Sequence, residues 1–328
     1  MANFSVTERR LSVAPMMECT DRHGRYFLRQ ISRNILLYSE MITAAALVHG
    51  KRDDLLAYDA AEHPLALQLG GSDPAELALA AKYGEAAGYG EINLNVGCPS
   101  DRVKSGRFGA CLMAEPELVA RCVAAMAAAV EIPVTVKCRT GIDGHDSFEL
   151  LRAFAGKMVE AGMASLAVHS RIAILEGLSP KQNREIPPLN YARVYRLKEE
   201  LPALEIILNG GVRSLGDALA HLERVDGVMI GRAAFDDPYI LAEADQRLFS
   251  DSHAMPSRHD IARAMLPYIE RALSKGARLN HITRHMLGLF HARPGARAWR
   301  RYLSENVPLA GAGPETVEQA LARVPEAD

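Results

Sequence analysis

Several features that mark other protein classes are missing from this chain of 328 residues. No apolar run approaches the roughly 18 residues that a membrane-spanning helix needs, and the first residues carry no charged-then-apolar export signal. The five cysteines include no CxxC pair, which indicates reduced thiols rather than a disulfide framework or a zinc site. We therefore expect a cytoplasmic protein without a metal ion or a membrane partner, and we expect a monomer.

The net charge of −2 gives little reason to expect a nucleic-acid partner, but the charge is unevenly distributed. Residues 258–301 hold ten Lys and Arg against two acidic residues, whereas the rest of the chain holds 28 basic and 38 acidic residues. Such asymmetry indicates either a basic binding surface or a solvated helix face, and charge alone does not separate the two.

Eight short apolar segments, bounded by Gly, Pro and polar residues, have the character of strands buried on both faces. They span Leu11–Met16, Ile35–Ile42, Leu65–Leu69, Glu91–Val96, Val134–Arg139, Ser165–His169, Glu205–Leu208 and Gly227–Ile230. Helical periodicity lies between them, and one predicted helix begins after an N-cap at Asp73, with proline at its first position, and runs to Gly88. Further helices are predicted at Glu115–Val130, Phe148–Ala161, Tyr191–Leu201 and Leu215–Glu223.

This alternation predicts a (β/α)8 TIM barrel, a fold of typically ~250 residues. An open doubly wound sheet is the alternative, but the early Gly-rich turn that is typical of it is absent. After about Ser250 the strands stop and the pattern predicts only helices. These are His259–Lys275, Leu279–His291, Ala296–Asn306 and Pro314–Val324. We therefore predict a catalytic barrel over residues 1–250 and a basic helical domain over residues 251–328.

Candidate functional residues lie where the predicted strands end, because the active site of such a barrel is at its C-terminal face. They are Pro15, Met16, Met17, Gln68, Asn95, Lys137, Arg139, His169, Asn209, Gly210, Gly211, Gly231 and Arg232. Glycines after strands seven and eight would let backbone N–H groups approach a phosphate, and Arg232 could add a charge-assisted hydrogen bond. A plain tight turn is the alternative explanation for Gly210 and Gly211.

A phosphate site, a lysine, a histidine and two amides around one barrel mouth suit flavin mononucleotide (FMN). Lys137 would stabilise the negative charge of the reduced ring near its N1/C2 carbonyl side, and Gln68 would bond to the ring edge. Lys137 could instead form a Schiff base, as in aldolases. Cys98, in a loop shaped by Gly97 and Pro99, is the predicted proton donor, because an ordinary thiol with a pKa near ~8.5 is mostly protonated at neutral pH.

Four motifs resemble the tRNA-dihydrouridine synthase family, and the resemblance covers nearly the whole chain. They are Pro15–Met17, Leu67–Gly71, Asn93–Val103 and Gly177–Pro188. The last resembles the A-type branch, which modifies uridines 20 and 20a of the tRNA D-loop. The resemblance implies that reduced FMN passes hydride to C6 of an everted uracil, that Cys98 protonates C5 and that NADPH re-reduces the flavin. It also implies tRNA contacts at Asn95, Lys181, Arg184, Arg297 and Arg300.

The chain departs from the family pattern at three places. Glu18 and Cys19 stand where an Asp-Trp pair is usual, Gly24 where Cys is frequent, and Ile172 where Lys is frequent. Two other functions stay open. An FMN-dependent dehydrogenase of a free pyrimidine would not need the basic helical domain, and a non-catalytic RNA-binding protein would not need Cys98 or Lys137. The aldolase alternative would be colourless.

Overall fold

Eight strands form one closed barrel, in which every neighbouring pair is parallel. The computed structural model describes residues 9–100 and 106–326. The strands follow chain order around the barrel, and the first pairs with the eighth to close it. Their bounds are β1 Leu11–Val13, β2 Leu36–Thr43, β3 Leu65–Gly70, β4 Glu91–Val96, β5 Val134–Arg139, β6 Ser165–His169, β7 Glu205–Asn209 and β8 Gly227–Ile230. The predicted (β/α)8 barrel is confirmed.

Helices follow each strand on the outside of the barrel. They are α1 Arg22–Arg29, α2 Ala44–His49, α3 Arg52–Leu56, α4 Pro74–Ala86, α5 Pro116–Ala127, α6 Phe148–Glu160, α7 Tyr191–Glu200, α8 Leu215–Leu222, α9 Ala233–Asp236 and α10 Ala244–Leu248. α4 begins as predicted, because the Asp73 carboxylate accepts hydrogen bonds from the N–H groups of Ala75 and Glu76. Those bonds satisfy two of the donors that a helix start leaves unpaired.

The first strand is shorter than predicted and ends at Val13 rather than Met16. The carbonyl of Met16 accepts hydrogen bonds from the N–H groups of Cys19 and Thr20 at 3.1 and 3.0 Å. The N–H of Met16 donates to the Thr20 hydroxyl at 3.0 Å. Since these bonds close a tight turn, the chain leaves the sheet before the residues that the sequence assigned to it.

The barrel interior combines apolar and polar side chains. Inward-facing residues alternate along each strand with residues that face the helices. One inward cluster is apolar and consists of Ala14, Leu36, Tyr38, Ala66, Ala167, Ile207 and Met229. Gln68, Asn93 and Thr135 are also buried there, each at most 2% exposed. Because a buried polar group is costly unless it is hydrogen-bonded, these side chains must find partners inside the barrel.

After residue 250 the described chain contains no strand and forms a helical segment, residues 258–321. Its helices are α11 Arg258–Ala264, α12 Leu266–Ser274, α13 Leu279–Met286, α14 Ala296–Asn306 and α15 Pro314–Leu321. The predicted helix over residues 259–275 is interrupted at Met265, because Pro267 lies in the first turn of α12 and has no N–H to continue a helix through that point. None of the described helices is both long and apolar enough to cross a lipid bilayer.

The helical segment packs on helix α1 of the barrel. The Asp21 carboxylate caps α1, lies 2.9 Å from Nε2 of His285 and contacts Arg284. Nδ1 of His23 lies 2.6 Å from the Tyr268 hydroxyl. One buried apolar cluster includes residues of both the barrel and the helical segment. The division into two domains at residue 250 therefore stays a prediction.

Trp299 is part of the core of the helical segment. Its ring is fully buried, its Nε1–H donates to the carbonyl of Met286 at 3.1 Å, and it packs edge-on against Phe290. A tryptophan in this position stabilises the segment and is not available to stack on a nucleotide base.

Candidate active site at the barrel mouth

The loop after β4 holds Cys98 at the C-terminal end of the barrel. Oδ1 of Asn95 accepts hydrogen bonds from the N–H groups of Gly97 and Cys98 at 3.1 and 3.0 Å. The Cys98 carbonyl accepts from the Ala110 N–H at 2.9 Å, and the half-buried thiol donates to the Ser100 hydroxyl at 3.4 Å. The backbone is thus fixed on both sides of Cys98, which limits where its thiol can lie.

Lys137 lies two residues before the end of β5, and its side chain is half-buried. Its ammonium donates to Oδ1 of Asn209 at 3.0 Å, and Nδ2 of Asn209 donates to the Met229 carbonyl at 2.7 Å. Burial, and then the positive charge of Arg139, lowers the pKa of Lys137 to about 8. A poorly solvated ammonium of this kind gains from an anionic ligand.

His169, at the end of β6, offers an unused nitrogen. Its Nδ1 is buried and has no hydrogen-bond partner within the described residues. Burial, followed by the charges of Arg139 and Lys137, holds the pKa of His169 well below its ordinary value, so the ring is neutral at pH 7. A neutral imidazole with a free ring nitrogen suits a bound polar ligand better than it suits a packed core.

The turns after β7 and β8 supply backbone donors. Gly210 and Gly211 have φ values of 106° and 75°, a region that favours glycine. Within the part of the chain that the structure describes, the N–H groups of Gly211 and Arg232 donate no hydrogen bond. The Arg232 guanidinium pairs with Glu185 at 2.9 Å, so it would have to leave that carboxylate to reach a phosphate. The backbone N–H groups predicted to bind a phosphate are therefore free within the described residues, whereas the side chain of Arg232 is already paired with Glu185.

Arg139 joins two loops at the mouth. Its Nε donates to the Gly97 carbonyl at 2.9 Å, and its NH1 donates to the carbonyls of Ile172 and Asn183 at 2.9 and 3.0 Å. Burial, and then the charge of Arg184, lowers its pKa to about 10. The arginine fixes the loop of Cys98 to the loop after β6. Its predicted contact with the cofactor stays a prediction.

The loop after β6 carries two of the predicted RNA contacts, Lys181 and Arg184, both exposed. Buried Asn183 fixes this loop, because its carboxamide bonds to the backbone of Ile174 at 2.7 and 2.8 Å. Arg171 was missed by the sequence reasoning, although it stands only two residues beyond the end of strand six. Burial, and then the charge of nearby Arg232, lowers the pKa of Arg171, which indicates a crowded positive mouth.

The other predicted mouth residues come from β1, β3 and β8. Met17 is 57% exposed, and Met16 Sδ is the nearest atom, at 3.9 Å, to where a Cβ on Gly231 would lie. Pro15 precedes them in the same turn. Gln68 is buried, and both ends of its carboxamide are used: Nε2 donates to Asn93 and Oε1 accepts from Asn95. A hydrogen bond from Gln68 to a flavin ring would therefore use the second N–H of Nε2 or the second lone pair of Oε1.

Arg297 and Arg300 are not grouped with the mouth. They lie on α14 and line a surface concavity whose other lining residues, including His291 and Arg293, also belong to the helical segment. Arg297 is exposed and Arg300 is half-buried. The predicted pairing of these two arginines on one helix face fits this location, and their contact with RNA stays a prediction.

The departures from the family motifs lie near the same mouth. Glu18 has a φ of 64° in the turn after β1, and the Ile172 carbonyl accepts from Arg139. A Cβ on Gly24 would lie 2.3 Å from the Cys19 carbonyl oxygen, so this structure requires glycine there. The motif residues 101–103 lie outside the described residues.

One group in the described chain has the composition of a metal site, namely Asp245, Asp251 and His253. Oδ1 of Asp245 accepts from the Ser32 hydroxyl at 2.6 Å and from the Asn34 N–H at 3.0 Å. Oδ2 accepts from the backbone of residue 33 at 2.6 Å. Both carboxylate oxygens of Asp245 therefore already accept hydrogen bonds, and they hold the turn before β2 in place. The expected absence of a metal stays a prediction.

Known proteins resemble this chain over almost its whole length. The family model for dihydrouridine synthase (Dus) matches residues 12–324. A tRNA-dihydrouridine(20/20a) synthase of Shewanella oneidensis is 59% identical over 97% of this chain and 94% of its own. Synthases of the same name from Vibrio cholerae and Escherichia coli K12 are each 58% identical, over 96% of this chain and over 97% and 91% of theirs.

A solved structure of a 2-naphthoyl-CoA reductase complex superposes with a TM-score of 0.54 at 12% identity, over 72% of this chain and 50% of the other. That likeness concerns the fold alone. The family model and the relatives together cover almost the whole chain, so this protein belongs to the dihydrouridine synthase family.

Proposed function

We propose that this protein reduces a uridine of the tRNA D-loop, at position 20 or 20a, to 5,6-dihydrouridine. The proposal rests on one observation above all: a held thiol, Cys98, shares the barrel mouth with Lys137, His169 and two backbone donors that have no partner in the described chain. Relatives at 58–59% identity carry the name of this activity. We further propose that it acts as a monomer in the cytoplasm, where its cysteines stay reduced.

The residues at the mouth fit FMN. The unpartnered Nδ1 of His169 and the free N–H groups of Gly211 and Arg232 are donors or acceptors that a ribityl phosphate can use. The positive φ values of Gly210 and Gly211 leave room for close backbone approach. When bound and reduced by NADPH, the cofactor supplies the hydride that adds to C6 of the uracil.

The protein's own residues bind, orient and protonate. Lys137 offers a positive charge, held toward the mouth by Asn209, that favours an anionic ring. Cys98 donates its thiol proton to C5 of the uracil, which with the hydride at C6 completes the saturation of the C5–C6 bond. Oδ1 of Asn95 holds the Cys98 backbone N–H, and Nδ2 of Asn95 donates to Gln68. A contact from Asn95 to the target nucleotide would use the second N–H of its carboxamide.

The positive residues around the mouth suit the phosphates that flank an everted base. Lys181 and Arg184 are exposed on the loop after β6, and Arg297 and Arg300 offer a second basic surface on α14. Removing a base from its stack costs free energy, which phosphate contacts on both sides of it can offset.

The test is an absorption spectrum of the purified protein, followed by addition of NADPH and then of unmodified tRNA. We expect a yellow protein that NADPH bleaches and tRNA reoxidises, with dihydrouridine forming in the wild type. Cys98→Ala should keep the colour and the bleaching but lose at least about a hundredfold in dihydrouridine formation.

Other outcomes would identify the rival functions. A colourless protein that binds tRNA would indicate a non-catalytic RNA-binding barrel, and a colourless protein that forms a borohydride-trapped adduct at Lys137 would indicate an aldolase. A yellow protein that tRNA does not reoxidise, but that a free pyrimidine does, would indicate a dehydrogenase of small substrates. Each of these results contradicts the proposed reaction.

A further inference from the structure

A single line of hydrogen bonds crosses the barrel interior from the Cys98 loop toward the opposite end. The Cys98 N–H donates to Asn95, Asn95 Nδ2 donates to Gln68 Oε1 at 2.9 Å, and Gln68 Nε2 donates to Asn93 Oδ1 at 2.8 Å. Asn93 Nδ2 then donates to the Thr135 hydroxyl at 2.9 Å. We refer to these side chains, with the carboxylate at the far end, as the amide relay.

The amide relay ends on Glu91. The Thr135 hydroxyl donates to Oε1 of Glu91 at 2.6 Å, and the same oxygen accepts from the Tyr38 hydroxyl at 2.8 Å. Oε2 of Glu91 accepts from Arg9 at 2.8 Å. Glu91 is fully buried, and its pairing with Arg9 makes it an acceptor at both oxygens.

We propose that Glu91, Thr135 and Asn93 are positioning residues that fix the orientation of the Gln68 and Asn95 carboxamides, and through them the position of Cys98. The inference rests on the proposed function for its catalytic consequence. These three residues do not touch the substrate, because they lie below Gln68 and Asn95 in the barrel.

Each hydrogen bond of the amide relay can run in only one direction. Glu91 can only accept, so the Thr135 hydroxyl must donate downward and leaves its oxygen as an acceptor. Asn93 must therefore present its NH2 group to Thr135 and its oxygen to Gln68. The same choice is forced at each following link, and it leaves the oxygen of Asn95 facing the N–H groups of Gly97 and Cys98.

If one carboxamide were reversed, its NH2 group would face a donor on one side and its oxygen would face an acceptor on the other. Gln68, Asn93 and Thr135 are at most 2% exposed, so water is not at hand to repair such a mismatch. The relay therefore presents one fixed pattern of donors and acceptors at the mouth, where the flavin ring and the uracil would lie. A site that depends on near-ångström alignment needs such support from residues behind it.

The experiment compares Thr135→Val, which keeps the shape and removes the hydroxyl, with Thr135→Ser, which restores it. Tyr38→Phe is the matched control, because it removes the other hydroxyl on the same Glu91 oxygen and leaves every link of the amide relay intact. Two quantities are measured on the full-length protein: the rate of iodoacetamide alkylation at Cys98, read by peptide mass spectrometry, and the single-turnover oxidation of the reduced protein by unmodified tRNA.

We expect Thr135→Val to raise the alkylation rate at Cys98 about threefold or more, because the loop opens more often once the hydrogen bonds that support Asn95 from behind are weakened. We expect the single-turnover rate at saturating tRNA to fall about 10- to 100-fold, with the tRNA concentration that gives half of this rate changed less than about twofold. Thr135→Ser and Tyr38→Phe should stay within about twofold of wild type in both measurements.

The alkylation measurement needs neither flavin nor tRNA, so it tests the relay even if the proposed reaction is wrong. A folded Thr135→Val protein with wild-type alkylation at Cys98 would overturn the inference. So would a Tyr38→Phe protein that matches Thr135→Val, since general loosening of the barrel would then explain both. If Thr135→Val does not fold, Thr135→Cys, whose thiol is a weak donor, should change both rates in the same direction by a smaller factor, and wild-type rates in that variant would contradict the proposal.

Discussion

Lys137 should lower the stability of the folded protein at neutral pH, and replacing it should raise that stability. Its ordinary pKa of 10.5 falls to about 8 because burial and the charge of Arg139 disfavour the ammonium. At ~1.4 kcal/mol per pH unit, the gap corresponds to about 3 kcal/mol, which partial contact with solvent at the mouth reduces to about 1–3 kcal/mol.

The dependence on pH has a definite sign. Below about pH 8 the lysine is protonated in both the folded and the unfolded chain, so the folded state carries the full cost. Between about pH 8 and 10.5 the folded protein loses this proton first, and the free energy of unfolding rises as the cost disappears. Lys137→Met removes the charge, and it also leaves Asn209 Oδ1 without its donor, a loss of about 1 kcal/mol.

We therefore expect flavin-free Lys137→Met to be up to about 2 kcal/mol more stable than wild type at pH 7 and to lose this advantage by pH 10. Urea denaturation of both proteins at the two pH values measures the difference, and comparing the two proteins cancels other groups that titrate in this range. Lys157→Met, at an exposed lysine paired with Glu117, is the control and should change stability by less than about 1 kcal/mol at either pH. An equal effect of Lys137→Met at pH 7 and pH 10 would refute the reasoning.

Three further substitutions test the packing of the mouth. Gly24→Ala should lower the free energy of unfolding by about 1–3 kcal/mol in urea, because its Cβ would lie 2.3 Å from the Cys19 carbonyl oxygen and 2.9 Å from His285 Nδ1; an unchanged urea midpoint would contradict this. Gly210→Ala should weaken FMN binding at least about tenfold in a fluorescence titration, since it combines a φ of 106° with a Cβ 3.2 Å from the His169 ring; wild-type affinity would count against a phosphate site there. Arg139→Lys should speed tryptic cleavage of the loop over residues 171–190, because lysine cannot replace three bonds to backbone carbonyls; an unchanged cleavage rate would show that other contacts hold the loop.

The strands and the mouth residues could be predicted because apolar runs and strand ends are local signals. The outer helices after β3 to β7 followed from periodicity and capping in the same way. Helix α1 could not be predicted in this way. Its sequence is rich in arginine, and its stability comes from partners that are distant in the chain. Arg25 pairs with Glu62 at 2.6 Å and Arg29 donates to the Pro64 carbonyl, and no local pattern announces either contact.

The polar barrel interior was also missed, although the sequence does carry a signal for it. In β4 the residues alternate between polar Glu91, Asn93 and Asn95 and apolar neighbours that face the helices. Read as strand periodicity, this pattern indicates polar side chains on the inward face. What the sequence could not supply was the register between strands, which sets Gln68 opposite Asn93 and Asn93 opposite Thr135 and so turns separate residues into one relay.

The barrel mouth holds buried positive charges that an anionic ligand would stabilise. Lys137 and Arg139 both have pKa values lowered first by burial and then by nearby positive charge, and the same two causes keep His169 neutral. A phosphate at the glycine turns and a negative ring beside Lys137 would stabilise these buried positive charges. Binding of the cofactor would therefore offset part of the free energy that burying them costs in the folded protein. Because a ligand that binds only the folded state stabilises it by mass action, FMN should raise the melting temperature most where these groups are protonated, and the gain should diminish as pH rises through the pKa of Lys137.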